Sequence, residues 1–296
     1  MTSLITDPDL DLLLSSADVE DLAVLIDHIT DKGDGRISLS AATCKVLVDA
    51  RKAGQMDDAC RALIAEELQR FGGNSVVNLF RGGAGISYRE ILRDVAGHVS
   101  ASTSPKSDCV QLESAIVATM MDQAFAKMTE QERADLFAEF GAKYPPGAGP
   151  AAMAILLVAI RASGFGTFKL AAIVANAVAR AMLGRGLALG ATAGVMRGVG
   201  AFAGPIGWAV TAVWTVFDLA SPAYRVTLPC VIQLAYMRQK TLFFSCPRCH
   251  APTDGTKKFC GECGAPLTLQ LTYENTSSNA NTRAVGDSSS AEDESN

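Results

Sequence analysis

Between residues 151 and 245 the chain carries a single acidic residue, Asp218, against eight Lys/Arg. Inside that stretch "AAMAILLVAI" and "KLAAIVANAVARAML" are apolar on nearly every side of a helix. A helix of that kind is buried in protein or in lipid, so this segment constrains everything around it. Residues 1–150 hold 14 Lys/Arg against 23 Asp/Glu, a net of −9, whereas 151–245 have a net of +7. Two readings of the split stay open. Anionic lipid headgroups would attract the basic segment, by on the order of 1 kcal/mol per Lys or Arg at the surface. Alternatively, the two halves neutralise each other inside one fold.

The glycines of "GLALGATAGVMRGVG" sharpen the choice. Gly186, Gly190, Gly194 and Gly198 recur at every fourth position, a drifting stripe of bare backbone if the segment is helical. In lipid this glycine-zipper spacing lets helices approach closely. In water each such glycine costs about 1 kcal/mol relative to alanine, which packing has to return. Arg180, Arg185 and Arg197 punctuate the stripe and can snorkel to headgroups from an interfacial helix. Residues 198–217 are uncharged and would span about 30 Å as a helix, near the minimum for a bilayer. "GPIG" at 204–207 is a turn signal in their middle, which favours a hairpin of two shorter apolar helices.

The acidic half reads as short amphipathic helices. "DVEDLAVLIDHI" places Val19, Leu22, Leu25, Ile26 and Ile29 on one apolar face. "MDDACRALIAEELQRF" does the same and stops at Gly72-Gly73, after which Asn74 would cap a further short helix. Ser87 with Glu90, and Thr129 with Glu132, have the spacing of capping boxes. "SASTSPKSD" at 100–108 reads as a linker, and Ser221-Pro222 as the start of a last apolar helix that runs to Lys240. No sustained β-type alternation precedes the C-terminal module, so the expected class is all-α. The expected organisation is an acidic helical region 1–150, a basic Gly/Ala-rich apolar region 151–240 in the same domain, a cysteine module 244–270, and an acidic disordered tail 271–296.

That module, "CPRCHAPTDGTKKFCGEC", is the most specific motif in the chain. Cys246 and Cys249 form one CxxC, and Cys260 and Cys263 another, ten residues apart. Four thiolates close a tetrahedral shell around one zinc ion and leave no position for water, so the expected role is structural. His250 beside a ligand reads as a bystander. The pattern resembles a zinc ribbon, a fold-stabilising or protein-docking module. Its net charge of +1 over 246–263 argues against a nucleic-acid partner.

Other motifs fall away on inspection. "DKGDGRIS" (31–38) echoes a calcium loop, but placing Gly35 at the sixth position leaves Asp34 as one good carboxylate, so it reads as a polar turn. "GGNS" and "RGGAG" lack the Lys-Ser/Thr of a phosphate loop. His28 and His98 sit on helical segments with no nucleophile elbow or metal cluster around them, and no enzyme is expected. The first residues, "MTSLITDPDL", lack the basic start of a secretory signal, and four scattered cysteines suit a reducing cytoplasm.

The stretches "DPDLDLLLSSADVEDLAVLIDHIT", "ELQRFGGNSVVNLFRGGAGISYREILRDVA" and "SPAYRVTLPCVIQLAYMR" resemble the YaaW-like family of uncharacterised bacterial proteins, from Asp7 to about Lys240. That family is distantly grouped with the ubiquinol–cytochrome c chaperones, which implies an α-helical assembly factor and carries no catalytic residues over. The cysteine module lies beyond the resemblance, as if fused to it. The leading expectation is a membrane-associating helical protein at the inner face of the cytoplasmic membrane. It would insert the glycine-zipper hairpin into lipid, with the zinc module docking a protein partner. The rival is a soluble all-α assembly chaperone; oligomeric state is left open.

Overall fold

The computed structural model describes residues 6–36, 38–73, 85–162, 166–187, 223–246, 248–249, 252–254, 258–260 and 263–267. Ten α-helices stand among them: α1 (Pro8–Ser15), α2 (Val19–Thr30), α3 (Ala41–Ala53), α4 (Asp58–Gly73), α5 (Tyr88–His98), α6 (Cys109–Lys127), α7 (Glu130–Glu139), α8 (Met153–Ala162), α9 (Gly166–Leu183) and α10 (Tyr224–Leu242). A hairpin of β1 (Phe243–Ser245) and β2 (Pro252–Asp254) follows directly on α10. The expected all-α class holds for the bundle.

Local chemistry fixes where the helices begin. Both capping boxes expected from sequence form, at Ser87/Glu90 and Thr129/Glu132, and a third stands at Asp108/Gln111. Asp7 caps two helices at once. Its carboxylate accepts from the Leu10 amide of α1 at 3.2 Å and from the Tyr88 amide of α5 at 2.6 Å. One side chain thus ties the chain's first helix to a fifth helix eighty residues later. The calcium-like loop is a polar turn, as expected: Arg36 reaches back to the carbonyls of Ile29 and His28.

The most central helix is α10, in which every residue from Val226 to Gln239 is buried. It packs against α9 most heavily, and also against α2, α4, α5 and α6. Phe168 of α9 stacks on Tyr236 of α10 at 5.9 Å. One apolar core runs from Leu10 to Met237 and takes residues from both the acidic and the basic halves. The described apolar helices α9 and α10 are therefore covered chiefly by the protein's own helices. By length and composition α9 is the one described helix able to cross a membrane, and two thirds of it is buried in the bundle.

The charge split closes on itself at the same contacts. Asp27 of α2, almost fully buried, binds Arg51 of α3 at 2.7 Å and Arg185 just beyond α9. Lys240 of α10 reaches Asp18 and, at 2.7 Å, Asp21, whose other oxygen accepts from Gln233. Lys169 meets Glu139, and Arg238 meets Glu113, each at 2.7 Å. The exposed members of this set add little stability, but each pair fixes which acidic helix meets which basic one. Mutual neutralisation inside one fold accounts for these four cations of the basic segment.

Two departures from the sequence expectation matter. The helix in "AAMAILLVAI" is not buried all round: Met153, Leu156 and Ile160 face the core, while Ile155 and Val158 are 53 % and 66 % exposed. Moreover, α9 ends at Leu183, and Gly184 turns the chain at φ +71° before the glycine stripe begins. Gly186 lies in the segment after the helix, while Gly190, Gly194, Gly198 and "GPIG" lie outside the described residues. A Cβ on Gly186 would sit 2.6 Å from Asn176 Oδ1 and 3.1 Å from Arg180 Nε. That same Asn176 oxygen accepts the Leu187 amide at 3.0 Å. Gly186→Ala is therefore expected to cost about 1–3 kcal/mol by forcing this contact apart. A urea melt within about 0.5 kcal/mol of wild type, as for a neutral surface change, would refute it.

Candidate metal centre and apolar cleft

The four cysteines singled out by spacing converge. The hairpin pairs Phe243 with Asp254, Phe244 with Thr253 and Ser245 with Pro252, which brings Cys246 and Cys249 into the segment between its strands. A bridge between Phe259 and Pro266 brackets Cys260 and Cys263. Inside it the Cys260 amide donates to Ala265 O, and the Gly264 amide to Cys260 O, with Gly264 at φ +68° making the turn. All four Sγ atoms lie within 4.8 Å of one another. Cys246–Cys263 and Cys249–Cys260 are each 3.6 Å apart.

A tetrahedral ion with metal–sulfur bonds of about 2.3 Å would hold its sulfurs about 3.8 Å apart, so the cluster is able to chelate a metal. The backbone amide of Cys249, and less strongly that of Arg248, donates to the Cys246 sulfur. Against the opposing effect of burial, these bonds and the neighbouring Cys249 and Cys260 side chains bring its thiol down to about 6. Favouring the thiolate is what a cation-binding cysteine requires. The two three-residue strands and the bridge are all the β-structure among the described residues, and a complete zinc-ribbon fold is not traced in them. His250 lies outside the described residues.

A second locus was not visible in the sequence. Glu113 of α6 is 2 % exposed, accepting from Tyr88 Oη of α5 and from Arg238 Nε of α10, both at 2.7 Å. Burial raises the Glu113 carboxyl and Arg238 opposes it; burial and the Glu113 charge push the Tyr88 phenol well up. Above this junction a cleft of about 70 Å³ opens between α6, α8, α9 and α10. Val117, Leu157, Ile160, Leu170 and Ala235 form its apolar wall, Glu113 is the acid in its lining, and Arg161 is exposed at its edge. Since one water needs roughly 10–15 Å³ on such a measure, the cleft has room for one branched apolar side chain.

Neither described histidine serves this cleft. His28 is buried in α2, and burial together with Arg36 and Arg185 lowers it to about 3. His98 stacks flat on Tyr224 at 3.7 Å.

Fold and sites thus define an α-helical bundle whose central helix leads straight into a four-cysteine cluster. Residues 60–232, from α4 into α10, match the family described as ubiquinol-cytochrome C chaperone. The chain is 37 % identical over 179 residues to a UPF0174 protein of Helicobacter pylori, covering 60 % of this chain and 70 % of that protein. A second UPF0174 protein from the same species is 35 % identical over 183 residues, covering 60 % and 87 %. The UPF0174 protein YaaW of Escherichia coli is 29 % identical over 239 residues, covering 79 % and 95 %. The chain belongs to the ubiquinol-cytochrome C chaperone family and, with these relatives, to the UPF0174 proteins. No solved structure matches. The family match ends before Cys246, so the metal-chelating cluster lies outside it. A chaperone family is a non-catalytic one, in keeping with an expectation drawn from the residues alone.

Proposed function

We propose that this protein is a non-enzymatic assembly chaperone that holds a subunit of a membrane complex, with the four-cysteine module as a zinc-stabilised docking element. The observation that carries the reading is where the family match falls. Residues 60–232 take in α9 and the N-terminal part of α10, acid-free helices that sit inside the bundle, where Lys169 of α9 and Arg238 of α10 pair with its acids. A protein with its apolar helices covered in this way is suited to act from the aqueous side. Cys246, Cys249, Cys260 and Cys263 would hold one zinc ion, which supplies a closed cross-link between the two CxxC turns and no open position for chemistry.

Affinity-tagged full-length protein is expected to purify without detergent as one species and to retain a membrane-complex subunit identifiable by mass spectrometry. A protein that needs detergent and retains no such subunit would overturn the reading.

A second reading rests on α9, which is long and apolar enough to cross a bilayer. In it, the basic segment leaves the bundle and the glycine-zipper stripe of Gly186, Gly190, Gly194 and Gly198 packs in lipid at the inner face of the cytoplasmic membrane. Flotation of the full chain and of the isolated 151–240 segment with vesicles would support it. Recovery of both in the soluble fraction would end it.

A further inference from the structure

We infer that the outer face of α8 and the adjoining cleft form one docking groove for an acidic amphipathic helix of a client polypeptide. This inference rests on the client-holding reading above. Ile155 and Val158 stand 53 % and 66 % exposed on α8, with Ala154 and Ala162 exposed beside them. Round the same helix from Val158, Arg161 and then Leu157 carry this exposed arc to the mouth of the cleft; Leu157 and Ile160 enter its wall roughly 100–160° away from the exposed pair. An apolar ridge beside a socket sized for one branched side chain is the arrangement that helix-in-groove recognition reads through i, i+3, i+4 and i+7 anchors.

Charge selects the occupant. From Gly141 to Leu187 the chain carries no acid, and of its cations Lys169 and Arg185 are engaged by Glu139 and Asp27 in the bundle, which leaves Arg161 as the cation at the cleft. The acid that lines the cleft, Glu113, is already engaged by Arg238 and Tyr88. The groove therefore offers a cation at its rim and no anion free to repel an acidic partner.

Size argues against the two other occupants. The described length of α8 is about 15 Å, far too short to supply the roughly 800 Å² per partner of a stable dimer. Two exposed branched side chains and one arginine likewise offer little to a lipid surface, where binding scales with the apolar area buried and the charge presented. A transient client helix needs no large area.

The probe is a short synthetic helix with leucines at i, i+3, i+4 and i+7 and glutamates elsewhere, beside an isomer with lysines in place of the glutamates. Fluorescence anisotropy with the full chain is expected to give saturable binding of the acidic peptide and at least tenfold weaker binding of the basic one. Val158→Glu should lose the acidic peptide by about tenfold or more, and Arg161→Glu should invert the charge preference. Both positions are exposed, so unchanged circular-dichroism melts confirm that the variants fold. Equal binding of the two peptides, or binding indifferent to both substitutions, overturns the groove. So does either of two other Val158→Glu-sensitive results obtained without peptide preference: flotation with phosphatidylglycerol vesicles, which makes the face a membrane surface, or dimerisation in sedimentation, which makes it a self-interface. Co-purification of the client separates the two levels. A client retained by Val158→Glu sinks the groove and spares the chaperone reading, whereas a client absent from wild type sinks the reading itself.

Discussion

Arg238→Met is expected to destabilise the bundle by roughly 3–5 kcal/mol. Arg238 and Glu113 are 3 % and 2 % exposed, and the charge on each is tolerated because the other lies 2.7 Å away. Removing the guanidinium leaves the carboxylate with the Tyr88 hydroxyl but without a counter-charge, in a setting where burial already disfavours ionisation. The sign of the pH dependence follows. With Arg238 gone, the Glu113 carboxyl in the folded state moves further above its unfolded value. The folded state then binds the extra proton, so the variant's deficit should be smallest at acid pH and grow as pH rises through the raised value. A second variant isolates the pair. Tyr88→Phe/Glu113→Leu/Arg238→Met removes the three described partners together and should recover most of the loss, because an apolar substitute for a buried ion pair is often neutral or better. Urea melts of the single and triple variants decide it. A single variant within about 1 kcal/mol of wild type, or a triple variant as unstable as the single, would show that the junction carries no such load.

The contrast between this junction and the helix caps shows which features a sequence displays. Ser87/Glu90 and Thr129/Glu132 are legible because a capping box is closed within four residues and needs no tertiary partner. Asp108/Gln111 obeys the same chemistry but hides in "SASTSPKSD", where linker composition draws the eye first. The CxxC pairs are legible because ligand spacing is itself the geometry. Glu113 and Arg238 are 125 residues apart and meet only because α6 and α10 pack, so neither residue carries a local signal. The charge split did announce that pairing in aggregate, since an acid-rich half and a nearly acid-free half in one fold have to meet somewhere. It did not announce which pairs. Nor does composition separate a helix buried in protein from one buried in lipid: α9 satisfies both tests, and only the helices packed around it show that the bundle covers it. For α8 the same composition concealed a third outcome, an apolar face turned outward.

Metal removal should act on one end of the chain and leave the other alone. The cysteine module has a small core of its own, in which Cys246, Cys260, Ala265 and Leu267 are buried, separate from the core that runs from Leu10 to Met237. Four modest side chains cannot offset the cost of ordering some twenty residues at about 1–2 kcal/mol each. A closed zinc site of four thiolates, with an apparent binding free energy of roughly 10–16 kcal/mol, can. Full-length protein is therefore expected to hold one zinc per chain, and Cys260→Ser or a strong chelator should bring that value close to zero. Amides from 246 to 267 should then lose their protection against hydrogen exchange. The helical melt should stay within about 1 kcal/mol, because the described core of the module is separate from that of the bundle. The join between the two parts is the last turn of α10, which Asp18 and Asp21 hold through Lys240, so unfolding that starts at the cysteines should stop there. Retained protection in the metal-free module would mean that its fold does not depend on the ion. Loss of the helical melt along with it would mean that the bundle leans on the cysteine cluster through α10, and the module would then be part of the core rather than an appendage to it.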